Sequence, residues 1–317
     1  MRKMFAIFLV VALLCGCTAG ESAPEEPAAA QVGLCLKGDL GSAAYQQSLS
    51  DSLAAQNWQV SVVDAGQDQS LQDQQILDFI EQGASLLIIE PVMTDTVSEI
   101  VEQLKQSGTP AIFIGRQPPM AAMSSWHSVC YVGGGENPAP AQIQLVLQSE
   151  SHGDLNGDGI VSYGVLAGDE ILQSTQAALQ SYETGLPGSE PLAIAYTTLT
   201  QDAGKLQCYE MLLQYGPDLE VLFCHSDALA LGAAEALRAE GRIVGTDLLL
   251  IGSGGSREAM EQIRDAQITG TVMLSAQAIA EIVTNVAQLL LQGNPVEPHY
   301  PVEWSCVDKK AVAVILK

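Results

Sequence analysis

Apolar positions along this chain alternate between two textures. Short runs rich in β-branched residues fall at Val32–Leu36, Gln59–Asp64, Leu86–Glu90, Ala111–Gly115 and Val129–Gly133. A second series falls at Tyr163–Gly168, Leu192–Tyr196, Val221–His225, Leu248–Gly252 and Thr271–Leu274. Most are apolar throughout, the pattern of strands covered on both faces in a parallel sheet. Between them the apolar residues space out at helical intervals, most clearly at Ile279, Ile282, Val283, Val286, Leu289 and Leu290, closed by Gly293 as a C-cap. Two consecutive sets of about five βα units result, and two doubly wound lobes account for them better than one very wide sheet. The predicted class is therefore α/β with two parallel-sheet lobes. Open sheets of this kind bind ligands beyond the carboxyl ends of their strands, which places any site in the cleft where the lobes face each other.

The first residues break this rhythm. Arg2 and Lys3 precede an uninterrupted apolar run, Met4–Leu14, too short to span a bilayer, and Leu14-Cys15-Gly16-Cys17 sets small residues before a cysteine. That order predicts a signal peptide over 1–16 and lipid attachment at Cys17; the alternative is a plain signal peptide followed by a chance cysteine. The segment 17–31 is Ala, Glu and Pro with no large apolar residue, and is expected to be a flexible spacer between lipid and body. One acyl chain holds only marginally, so stable anchoring implies more than one on Cys17. The expected location is extracytoplasmic, tethered to a membrane at the cell surface or in the periplasm.

Composition narrows the function. The chain carries 37 acidic and 13 basic residues, a net charge of −24. Nucleic acid and anionic lipid are excluded as partners of the folded body, because phosphate binding needs clustered Lys and Arg. Beyond Cys15 and Cys17, five cysteines remain at 35, 130, 208, 224 and 306, an odd and widely spaced set that makes a poor disulfide framework. Cys35 and Cys224 lie inside apolar runs and are expected to be buried thiols. Gly133-Gly134-Gly135 lacks the third glycine of a dinucleotide fingerprint, and Gly252-Ser253-Gly254-Gly255-Ser256 lacks the nucleophile-elbow spacing. His127, His152, His225 and His299 are scattered and no paired carboxylates stand at a catalytic spacing, so the chain is not expected to be an enzyme.

The sharpest local motif is Asp154-Leu155-Asn156-Gly157-Asp158-Gly159-Ile160-Val161-Ser162. Asp154, Asn156 and Asp158 stand at positions 1, 3 and 5 of a calcium loop, Gly159 permits the turn at 6, Ile160 offers its carbonyl at 7 and Ser162 stands at 9. Position 12 is Val165 where a bidentate glutamate belongs, so Ca²⁺ needs another carboxylate from elsewhere in the chain. The alternative is an Asx-rich turn that binds nothing. A dockerin module is disfavoured, because this single loop leads straight into the run Tyr163–Gly168.

With these stretches in view, Val32–Lys317 resembles the bacterial galactose/glucose-binding proteins, the type I periplasmic solute-binding family that serves ABC transporters. The resemblance rests on DQSLQDQQILDFIEQGASLLIIEPV (Asp68–Val92), PAIFIGRQP (Pro110–Pro118), DLNGDGIVSYGVLAG (Asp154–Gly168), LEVLFCHSDALALGAAEAL (Leu219–Leu237) and ITGTVM (Ile268–Met273). It implies an N-terminal lobe of 32–135 with 276–300, a C-terminal lobe of 136–275 with 301–317, and a hinge of three crossings near Gly134–Pro138, Ser275–Gln277 and Tyr300–Glu303. It implies Glu220 as the missing carboxylate of a structural Ca²⁺ site, with Ser162 where the family has glutamine. The partners implied are a sugar or other small polar solute and an ABC permease or membrane sensor.

The family's sugar contacts map here onto Asp39, Glu90, Arg116, Ser174, Thr200, Ser226, Asp227 and Gly254. Leu172, Ala178 and Leu274 replace polar family residues, and Thr200 replaces a stacking tryptophan. A hexose is held by many convergent hydrogen bonds, so such losses remove galactose specificity. Glu90 and Arg116 are either charged ligand contacts or partners of each other. The competing expectations are a degenerate or sensor-type module for a non-hexose ligand and, less favoured, an extracellular enzyme.

Overall fold

The computed structural model describes residues 29–38, 42–135, 137–168, 173–186 and 188–316. The signal peptide, Cys17, almost all of the spacer, and Asp39 lie outside the described residues.

The chain first runs β1 (Gln31–Leu36), α1 (Ser42–Ala54), β2 (Gln59–Asp64), α2 (Gln69–Glu81), β3 (Leu86–Ile89), α3 (Val97–Ser107), β4 (Ala111–Ile114), α4 (Met120–Met123) and β5 (Val129–Gly133). It continues as α5 (Ala139–Leu147), β6 (Ser162–Ala167), α6 (Gln173–Gly185), β7 (Glu190–Tyr196), α7 (Gln201–Tyr215), β8 (Val221–Cys224), α8 (Asp227–Ala239), β9 (Leu249–Ile251), α9 (Arg257–Arg264) and β10 (Thr271–Leu274). The last part is α10 (Ala276–Leu291), β11 (His299–Pro301), β12 (Trp304–Val307) and α11 (Lys309–Ile315).

Two parallel sheets carry the two lobes, in the orders β11-β5-β4-β3-β1-β2 and β7-β6-β8-β9. Their central strands are buried along their whole length (Leu86–Ile89, Ala111–Ile114 and Val221–Cys224), as continuous apolar runs require. Helices start where a side chain can satisfy free N–H groups: Asp68 accepts from Ser70 and Leu71, Thr200 from Ala203, Ser226 from Leu229 and Ser275 from Ala278. The periodic stretch at 279–290 is α10, which buries Ile279, Val283, Val286 and Leu290 against the first sheet and α1. Each of these side chains contributes roughly 1.5–3 kcal/mol over leaving it in water.

The final strands depart from the expectation. β10 is not the fifth strand of a continuous parallel ladder; it pairs antiparallel with β12, from Thr271↔Val307 to Leu274↔Trp304, while the residues just before it join β9 through the parallel bridge Ile251↔Gly270 and the bond from Thr269 N to Leu250 O. β11 and β12 were not expected from the pattern. They are three and four residues long and partly exposed, and Pro301 closes the first at the sheet edge, where a missing N–H is tolerated.

The chain passes between the lobes at 134–138, at Ser275 alone between β10 and α10, and at Val302–Glu303 between β11 and β12. Val302 N donates to Gly133 O at 3.0 Å, tying the third crossing to the foot of the first. Among the described residues no helix is long and apolar enough to cross a membrane.

Candidate functional site

A cavity of about 500 Å³ opens at the carboxyl ends of both sheets. The first lobe lines it with Arg116 and Gln117, which follow β4, and Tyr131 of β5; the second with Ser174, Thr175, His225 after β8 and Ser253 after β9. Leu199, Leu274 and Trp304 add carbon surface. Two polar atoms in this wall are buried without a hydrogen-bond partner, Gln117 Oε1 from one lobe and His225 Nε2 from the other. Burial lowers the His225 pKa from 6.5 to about 4, so its ring is neutral at physiological pH and offers one donor and one acceptor.

Buried glutamines hold the strand ends that carry these residues. Gln142 of α5 is fully buried; its amide nitrogen donates to Cys224 O and Gly252 O, both at 3.0 Å, and its oxygen accepts from Tyr182 Oη. The two carbonyls belong to the residues just before His225 and Ser253, so one side chain positions both. Gln72 of α2 does the same in the first lobe, donating to Glu90 O and accepting from Val92 N, each at 2.9 Å.

Of the sequence-predicted ligand residues, the structure brings Arg116 and Ser174 to the cavity wall. Asp39 lies outside the described residues, and the remaining ones are engaged elsewhere. Glu90 is 2% exposed and takes Lys37 as its cation in place of Arg116: Lys37 Nζ stands 3.9 Å from Glu90 Oε1, and Lys37 N donates to Oε2 at 3.2 Å. Arg116 instead donates from Nη1 to Val92 O at 3.1 Å. The Thr200 and Ser226 hydroxyls are spent on the N-caps of α7 and α8. Asp227 accepts from Thr271 Oγ1 at 2.6 Å and Ser256 N at 2.5 Å, a buried clasp in which desolvation raises the carboxyl pKa against the pull of those bonds. Gly254 packs over that carboxylate.

Sequence reasoning missed Gln117, Ser253 and Trp304 as cleft residues, whereas His225, at the end of a strand run, reads from sequence as a structural or cleft residue. A signal existed for Gln117 and Ser253, which follow the end of a predicted strand within two residues. Trp304 had none, because its strand was not foreseen.

The loop 154–162 is folded around hydrogen bonds from its own backbone N–H groups to its polar side chains. Asp154 accepts from the backbone of Gly157 and Asp158 through Oδ1 and of Gly159 through Oδ2; Asn156 Oδ1 accepts from Asp158 N, and Asp158 Oδ1 from Ile160 N. Gly159 sits at φ +88°, a turn that a side chain would strain. Glu220, 1% exposed, extends to this loop from just before β8. Its Oε1 accepts from Leu155 N at 2.7 Å and Asn156 N at 3.0 Å, and its Oε2 from Ser162 N at 2.9 Å. The oxygens of Asp154, Asn156, Asp158 and Glu220 are hard ones, the chemistry that suits Ca²⁺. Glu220 uses three of the roughly four acceptor positions of a carboxylate, leaving capacity for an ion. Among the described residues, no three His, Cys, Asp or Glu side chains converge in a way that could hold a metal ion.

Cys35, Cys130, Cys208 and Cys224 are buried and unpaired, and burial pushes the first three up to about 12, which removes them as nucleophiles or metal ligands.

Residues 40–295 match the family model described as periplasmic binding protein domain. The ribose import binding protein RbsB of Bacillus subtilis is 28% identical over 239 residues, covering 75% of this chain and 73% of that protein. The D-galactose/methyl-galactoside binding periplasmic protein MglB of Haemophilus influenzae is 24% identical over 239 residues, covering 71% of each. An ABC transporter periplasmic solute binding protein from Actinobacillus succinogenes, solved with bound D-allose, superposes with a TM-score of 0.74 at 16% identity, covering 90% of this chain and 99% of the other. At that identity the superposition establishes the fold alone. The matched proteins are binding proteins, not enzymes.

Proposed function

The chain belongs to the periplasmic binding protein domain family, and on that footing we propose that it is the extracytoplasmic solute receptor of an ABC-type import system, binding a sugar or a related polyhydroxylated solute between its lobes. The observation that carries this reading is the pair Gln117 Oε1 and His225 Nε2: one unpartnered buried polar atom on each side of a single cleft. Leaving such atoms unsatisfied costs about 1–3 kcal/mol each. A hydroxylated ligand that meets them as the lobes rotate on the three crossings recovers that cost only in the closed form, which ties binding to closure. Arg116, Ser174, Thr175 and Ser253 supply further hydrogen bonds from the same wall.

Two further elements complete the reading. Ca²⁺ is held by Asp154, Asn156, Asp158, the Ile160 carbonyl, Ser162 and Glu220, and its role is to brace the amino end of the second sheet. Lipid on Cys17 tethers the receptor beside its permease, raising the local concentration of the pair.

Isothermal calorimetry of the purified mature protein against D-ribose, D-galactose and D-allose tests the cleft. Binding to at least one, with no turnover, is the expected result. No heat with any of them, and stabilisation by Ca²⁺ alone, would leave the second reading, a sensor-type module for a non-hexose ligand. That reading draws on Glu90, Thr200, Ser226 and Asp227, whose polar atoms are committed to internal bonds and not to the cavity.

A further inference from the structure

Trp304 stands where the three crossings meet. It opens β12 directly after the Val302–Glu303 crossing, and it is the register partner of Leu274, the last residue before the Ser275 crossing. Its Nε1 donates to Gly135 O, in the first crossing, at 3.1 Å. The packing there is close enough that a side chain on Gly134 would come within 2.6 Å of Leu274 Cδ2 and 2.9 Å of Trp304 Nε1.

The same indole borders two cavities. One is the cleft, and the other, of about 560 Å³, lies on the hinge side among Gln144, His299 and Glu303. An indole has a single polar group, and this one is spent on Gly135, so what the ring offers the cleft is carbon surface. The C–H face of a sugar ring is the part of such a ligand that carbon surface suits.

We infer that Trp304 is the aromatic platform on which the cleft's ligand rests and, through its hold on Gly135 and Leu274, the residue that conveys ligand arrival to the hinge. The inference builds on the proposed solute-receptor function and assigns to it a contact from the hinge strand, outside the strand-end loops of either lobe. Trp304 is a ligand-contact and positioning residue.

The test uses the mature protein labelled with 5-fluorotryptophan. Trp58, Trp126 and Trp304 are its three tryptophans, and the Trp304 resonance is assigned by its absence in Trp304→Phe. D-ribose, D-galactose and D-allose are titrated while calorimetry is run in parallel. The expected result is that a sugar producing binding heat moves the Trp304 resonance, and that Trp304→Leu weakens this sugar roughly tenfold more than Trp304→Phe, which keeps a ring. Binding heat with an unmoved Trp304 resonance overturns the inference and leaves the receptor reading standing. Equal losses in the Leu and Phe variants also overturn it, since they would reduce the indole to its bond with Gly135. Absence of binding heat with every sugar overturns both.

Discussion

Glu220 Oε1 accepts the backbone N–H of Leu155 at 2.7 Å, a bond that joins positions 65 residues apart. It makes the calcium-type loop part of the second sheet's architecture, because Glu220 stands beside β8, whose other end carries His225 into the cleft. Glu220→Gln keeps one acceptor oxygen but turns an amide N–H₂ toward a backbone N–H. In calcium-free buffer it is expected to cost roughly 2–3 kcal/mol in urea unfolding. Wild type is expected to gain about 2.7 kcal/mol at a hundredfold excess of Ca²⁺ over its Kd. The variant should gain almost nothing. A wild-type melting temperature indifferent to Ca²⁺ would remove the metal from the proposal.

Gln142→Leu removes three hydrogen bonds at once and strands Cys224 O, Gly252 O and the Tyr182 hydroxyl in a buried setting. The expected loss is about 2–4 kcal/mol of stability. Because those carbonyls precede His225 and Ser253, ligand affinity should fall as well, even though Gln142 does not border the cleft. Calorimetry on the folded variant checks the second effect separately from the first.

His225 sets a pH dependence. Its ring has a pKa of about 4 in the fold against 6.5 for the unperturbed group, with burial as the cause. As pH falls the unfolded chain takes up the proton first, so the stability linked to neutral His225 is complete above pH 6.5 and is lost progressively toward about pH 4. The amount is roughly 3 kcal/mol. Chemical denaturation at a series of pH values should show wild type losing that much more than His225→Gln over this window; parallel curves for the two proteins would refute the assignment.

Gly232→Ala tests helix packing. In an unencumbered helix the change would gain up to about 1 kcal/mol. Here the new Cβ would fall 1.9 Å from Gln201 O and 2.6 Å from Lys205 N, backbone atoms of α7 that no side-chain rotation can move. A net loss of about 3 kcal/mol or more is expected from thermal or urea unfolding.

The residues that announced the fold are those whose neighbours along the chain decide their state. Leu86–Ile89 and Val221–Cys224 are strands because every residue in them is apolar, and α10 is a helix because Ile279, Val283, Val286 and Leu290 share one face. What stayed hidden was decided by distant partners. Trp304–Val307 is a strand only because β10 arrives to pair with it, and Ser305 interrupts its short apolar run. The same holds for the site. Glu90 looks like a cleft carboxylate in sequence, yet Lys37, 53 positions away, claims it. Asp227 likewise turns to Thr271 across 44 positions. Residues directly beyond strand ends, such as Arg116 and His225, are legible from topology alone, whereas their hydrogen-bond partners are not.

The shortness of two crossings has a thermodynamic consequence. Only Ser275 separates β10 from α10, and only Val302 and Glu303 separate β11 from β12, with Val302 already bonded to Gly133. Motion between the lobes must therefore be absorbed by a handful of backbone dihedrals. Ordering a flexible residue costs about 1–2 kcal/mol, and here few residues have that freedom to give up when the cleft shuts. The entropy surrendered on closing stays small, so most of the contact energy with a solute remains available as affinity.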